Sequence, residues 1–148
     1  MEEALEEDPQ RVALEQVISL ITPLRQHRQA SAERAQRQAQ VELNSMLDHL
    51  SETRLVLSQE RDNHRQRRQS LSAAHLEKTI SLKDVDRWHE KEKNMLDRLA
   101  LIRQDVQQQQ LQIAEQQALL ERKRLQAKAF QRAVEKLSCL SETLSEEG

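Results

Sequence analysis

Five histidines, His27, His49, His64, His75 and His89, are the side chains best suited to hold a metal or move a proton in this sequence. Zinc ligation of the HExxH kind needs two imidazoles one helical turn apart, and no two of these histidines have that spacing. Cys139 is the single cysteine, with no disulfide partner and no second thiolate to share a metal, and it reads as a small residue at the edge of a helix seam. Serines and glutamates are plentiful, yet none stands in a pattern that pairs a nucleophile with an oriented base. A phosphate-cradling loop needs glycines, and the only one is Gly148. These residues assign no catalytic residue, no cofactor and no metal, and the chain is expected not to be an enzyme.

Recognition is the chemistry that remains. The cluster "RDNHRQRRQ" (61–69) carries Arg61, Arg65, Arg67 and Arg68. It reads as a solvated helix face or as a dock for an acidic partner. With 23 basic against 25 acidic residues and a formal charge of −2, the chain lacks the basic excess of a nucleic-acid binder. The only tryptophan, Trp88, sits in "RWHEKEKNML" (87–96), where it can pack in a seam or anchor a partner.

The elements that position these residues follow from composition. Hydrophobic residues make up 36% and charged residues 32%, with one Phe, one Trp and no Tyr, so there is little aromatic bulk for a thick core. One Gly and two Pro cannot supply the tight turns of a sheet fold. Leu, Ala, Gln, Glu, Arg and Lys favour long helices, while the same polar, aromatic-poor composition also marks disorder. Acids gather at "MEEALEED" and "SETLSEEG", and bases lie between them. No run approaches the roughly 18 apolar residues of a spanning helix, so membrane insertion is not expected and a cytoplasmic location is.

Asp8-Pro9 reads as a helix cap followed by proline at the first helical position, and Thr22-Pro23 repeats that chemistry as a kink or break. The expected organisation is an acidic segment with a short helix (1–22), a first coiled-coil arm (23–70), a turn (71–81), a second arm (82–142) and an acidic tail (143–148). In the first arm, Ala32, Ala39, Met46 and Thr53 recur every seven residues beside Gln36, Leu43, Leu50 and Leu57. Past Leu57 the register meets Glu60, His64 and Arg67, where the seam should weaken. In the second arm, Val85, Trp88, Met95, Leu99, Ile102, Val106, Ile113, Leu120, Ala127, Phe130, Val134, Leu137 and Leu144 share one register. Glu92, Gln109, Gln116, Lys123 and Ser141 interrupt it. "SLKD" supplies start chemistry for this arm at Ser81, and "SLSAAHLEKTI" (70–80) supplies the turn.

A turn centred near residue 76 gives an all-α, antiparallel two-helix coiled-coil hairpin, a thin rod with arms of about 90 Å. Leu71 then meets Val85, Leu57 meets Leu99, Leu50 meets Val106 and Leu43 meets Ile113. Gln109 and Gln116 fall in the seam opposite Met46, Ala39 and Gln36, which leaves its middle weakly held. Two helices bury only about two residues in seven, so the isolated chain is expected to be marginally stable or partly disordered.

The arms "AERAQRQAQVELNSMLDHL" (32–50), "DRWHEKEKNMLDRLALI" (86–102) and "QQQLQIAEQQALLERKRLQAKAF" (108–130) resemble the stalk proteins of type III secretion systems, the YscO/FliJ class, and most of all its Hrp-system members. The resemblance implies a hairpin similar to the central stalk of rotary ATPases. It also implies a place at the cytoplasmic face of the export apparatus, with the hexameric secretion ATPase, the export-gate cytoplasmic domain, a stator protein and substrate chaperones as partners. The competing expectation is a generic coiled-coil scaffold or dimeric tether without a secretion role.

Overall fold

The structure is a computed structural model that describes residues 8–75 and 81–147. Two helices, α1 (Pro9–His75) and α2 (Leu82–Glu146), pack against each other as an all-α helical hairpin, with no strand among the described residues. Each helix begins where local chemistry satisfies its first N–H groups. The Asp8 carboxylate accepts the Gln10 N–H at 3.1 Å, and Pro9 occupies the position where a missing N–H is harmless. At the start of α2 the Ser81 hydroxyl accepts the Asp84 N–H at 3.3 Å, and the Ser81 carbonyl accepts the Val85 N–H at 3.2 Å.

Three boundaries differ from the sequence reading. The helix does not stop at Thr22-Pro23: Pro23 lies inside α1, so the short first helix and the first arm are one element. Proline removes one backbone bond, but flanking contacts hold the helix through it, with Ile18 buried before it and the Arg25 guanidinium bonded to the Ala133 carbonyl after it. Thr22 donates to the Ile18 carbonyl at 2.7 Å, which adds a local bond at the same turn. α1 also continues to His75 rather than ending at 70, and α2 reaches Glu146 rather than 142, because neither end carries a helix breaker. The centre of the expected turn (76–80) and most of the acidic start (1–7) lie outside the described residues.

The chain divides into two compact units, Met1–Glu42 with Gln116–Gly148, and Leu43–Glu115. In the first, Arg11 donates to the Leu144 carbonyl at 2.5 Å, Arg25 to Ala133 at 3.1 Å, and Gln116 to Ala39 at 3.1 Å. In the second, Thr53 meets Gln109, Glu60 meets Arg98 and His64 meets Glu92. Within each unit the partner on α2 moves back toward its start as α1 advances, which is antiparallel pairing.

The cores follow the seven-residue pattern. Ile18, Ala32, Ala39, Ala127 and Leu137 are buried in the first unit, and Leu43, Leu50, Leu99, Val106 and Ile113 in the second. Burying a Leu or Ile side chain is worth about 1.5–3 kcal/mol, whereas an alanine removes far less apolar area from water. The first unit, with three alanines among those five, therefore has the weaker seam. Among the described residues no large side chain is fully enclosed, as expected of a stripe covered from one side only. No described helix is long and apolar enough to cross a membrane.

Candidate functional site

Most of the expected seam positions face the opposite helix. Leu43, Leu50, Leu99, Val106, Gln109, Ile113 and Leu137 are buried, and Met46, Leu57, Trp88, Met95, Ile102, Gln116, Leu120, Phe130 and Val134 are half-buried. Val85 departs from that reading and is 36% exposed. It stands in the first turn of α2, and the described residues nearest Leu71 on α1 include the small Ser70, Ser72, Ala73 and Ala74. Cys139 also departs: it is exposed rather than at the seam edge, because two residues beyond the inward-facing Leu137 the helix surface has turned outward.

The glutamines are cross-linked rather than loose. Gln109 is only 7% exposed, and its amide donates to the Thr53 hydroxyl at 2.9 Å, which in turn donates to the His49 carbonyl at 3.0 Å. The Gln109 carbonyl Oε1 is buried and has no hydrogen-bond partner. Gln116 donates to the Ala39 carbonyl at 3.1 Å and to a Glu42 carboxylate oxygen at 3.4 Å. A polar side chain with matched partners at a seam position favours one register, since a slip leaves it buried and unpaired.

The acids at seam positions in the second unit are each met by an arginine. The Arg98 Nη2 lies 2.9 Å from Glu60 Oε1, and Arg68 Nε lies 3.3 Å from Glu92 Oε1. His64 Nε2 approaches the same Glu92 oxygen at 3.6 Å, an ion-pair distance when the ring is protonated and too long for a hydrogen bond. The stretch expected to be a weak end of the seam is thus a polar clasp.

Around that clasp a cleft of about 600 Å³ opens, lined by Arg61, His64, Arg65, Arg68, Gln69, Leu96, Leu99 and Arg103. Of the arginines singled out in the sequence, Arg61, Arg65 and Arg68 come together here. Arg67 instead donates toward the Met95 sulfur at 3.7 Å, and Trp88 does not line the cleft. The half-buried Trp88 ring lies 4.9 Å from that of His89. Arg103 completes the cleft from α2, a contribution that only the pairing of the two helices reveals. With no acid in its lining, the cleft can receive carboxylates on guanidinium forks above an apolar floor at Leu99.

One further ion pair has a defined electrostatic effect. Arg124 donates to both Glu121 carboxylate oxygens, at 2.9 and 2.6 Å. Those bonds hold the Glu121 carboxyl below its ordinary value, and the same bonds raise the Arg124 guanidinium above its own. Among the described residues no three His, Cys, Asp or Glu side chains form a group able to hold a metal. The sequence reading missed Arg11 and Arg25, whose bonds to α2 carbonyls extend the seam. The signal was present, since Arg11, Ile18 and Arg25 continue the seven-residue spacing of Ala32 and Ala39 toward the start of α1. The chain matches no protein-family model, no curated protein and no solved structure.

Proposed function

We propose that the chain is a helical-hairpin stalk protein of type III secretion that links the secretion ATPase, the export gate and substrate chaperones through helix-to-helix contacts. The observation that carries this reading is the hairpin itself: one chain supplies both arms, and the Arg11 side chain reaches the Leu144 carbonyl across 133 residues of sequence. A hairpin closed on its own arms leaves its outer faces available to partners, as a stalk requires. The arginine cleft of the second unit suits an acidic segment on one of them.

ATP hydrolysis by a hexameric type III secretion ATPase, measured with and without the purified chain, tests the reading. Stimulation by severalfold is the expected result, and Arg61→Glu with Arg65→Glu should weaken it if the cleft is the contact. No stimulation of an otherwise active ATPase would contradict the motor role and leave a scaffold without a secretion function as the better account.

A further inference from the structure

In the first unit α1 carries a second stripe beside the one turned toward α2. Leu14, Val17, Ile21, Leu24 and Arg28 follow at alternating steps of three and four residues, which keeps them on one side of the helix. Leu14, Val17 and Leu24 are 40%, 48% and 61% exposed, so this stripe is not part of the seam. α2 repeats the spacing with Gln126, Ala129, Ala133, Lys136 and Leu140, the last of them 41% exposed.

The two stripes lie on the same flank of the unit. Arg28 lines a cleft of about 490 Å³ together with Ala129, Ala133 and Lys136. It also lines a neighbouring cleft of about 370 Å³ with Ser31, Ala35 and Gln126, and the half-buried Phe130 borders both. The clefts exist because alanines stand where longer side chains would fill the space between the helices. Charge on this flank has one sign: every charged residue in the two linings is basic, from Arg28 and Lys123 to Arg132 and Lys136. The other flank carries Glu33, Glu121 and Glu135, whose carboxylates already accept bonds from Gln29, Arg124 and Gln131.

We infer that this flank receives an acidic amphipathic helix of a partner protein, which lies along the first unit as a third helix. Its apolar residues cover Leu14, Val17 and Leu24 and project into the alanine clefts, while its carboxylates meet Arg28, Arg132 and Lys136. From Leu14 to Ala35 the stripe extends about 30 Å, room for about three heptads. A second copy of this chain fits less well, because two such flanks set face to face bring cations against cations. The inference goes beyond the stalk reading and holds with or without it.

The test is a titration of the full-length chain into a fluorescein-labelled three-heptad peptide with Leu along one stripe and Glu beside it, followed by anisotropy. The control is the same peptide with Lys in place of Glu. The glutamate peptide should bind at least tenfold more tightly than the lysine peptide. The Val17→Gln, Leu24→Gln double variant should lose tenfold or more in affinity with unchanged helix content by circular dichroism, since both residues face away from the seam. Gln26→Leu, away from this stripe, should leave binding as it was. Equal affinity for the two peptides, no binding of either, or an unaffected double variant would overturn the inference. So would a dimer of the unmodified chain that the double variant converts to monomer, which would assign the flank to a second copy.

Discussion

Gln109 holds a position where the seam pattern calls for an apolar side chain, and its two ends fare differently. The amide reaches Thr53, while Oε1 is buried without a partner. An unsatisfied buried acceptor costs about 1–3 kcal/mol, so Gln109→Leu should stabilise the chain by roughly that amount. Gln116→Leu should gain less, because Gln116 is only half-buried and bonds both Ala39 and Glu42. Thermal melts of the two variants followed by circular dichroism check the order, and an equal or lower midpoint for Gln109→Leu would contradict it. Glu121 gives a pH prediction with a definite sign. Its carboxyl is depressed by Arg124, so the pairing is fully present above the ordinary carboxylate value and is lost as pH falls through the depressed one. An NMR titration of the Glu121 side chain should show its midpoint rise in Arg124→Gln. These polar positions were partly legible. Their place in the register could be counted from the sequence, but whether a seam glutamine is satisfied depends on the atom it meets across the helix pair, and Thr53 sits 56 residues away.

At the scale of elements, the helix starts at Asp8-Pro9 and Ser81 were legible because capping is local chemistry. Of the kink or break expected at Thr22-Pro23, the break does not occur, because local propensity argues for a stop there while packing on both sides argues against it. An interior proline costs a helix about 3 kcal/mol, so Pro23→Ala should raise stability by up to about that amount. An unchanged or lower melting midpoint would mean that α1 gains nothing from restoring the backbone bond. The seams differ in strength for a reason that residue types did disclose: Ala32, Ala39 and Ala127 remove less apolar surface from water than Leu43, Leu50 and Leu99. Amide hydrogen exchange in the free chain should accordingly be faster around Ala32–Ala39 than around Leu43–Leu50. The reverse order would show that the polar clasp and glutamines weaken the second unit more than leucines strengthen it.

For the whole molecule, a seven-residue pattern announces a seam but does not say which chain closes it. The same stripes suit two arms of one hairpin or the facing helices of a dimeric tether. What separates them is the set of contacts between α1 and α2, such as Arg25 with Ala133 in the first unit and Glu60 with Arg98 in the second. The second stripe of the first unit was less legible, since Leu14 and Val17 were assigned to the short first helix and Leu24 to the first arm, and only a seam that claims Ile18 leaves all three outside it. The apolar residues of the first unit are thus divided between a closed seam and an open flank.

The central claim is that a single chain supplies both sides of its own seam. It is tested most directly by introducing Thr53→Cys and Gln109→Cys in a Cys139→Ser background and treating the dilute protein with a short bis-maleimide. Thr53 Oγ1 and Gln109 Nε2 are 2.9 Å apart, so the hairpin predicts a cross-linked product with the mass of one chain, near 17.3 kDa. A product of twice that mass at limiting dilution, with no single-chain cross-link, would show that the arms pair between chains and contradict the hairpin.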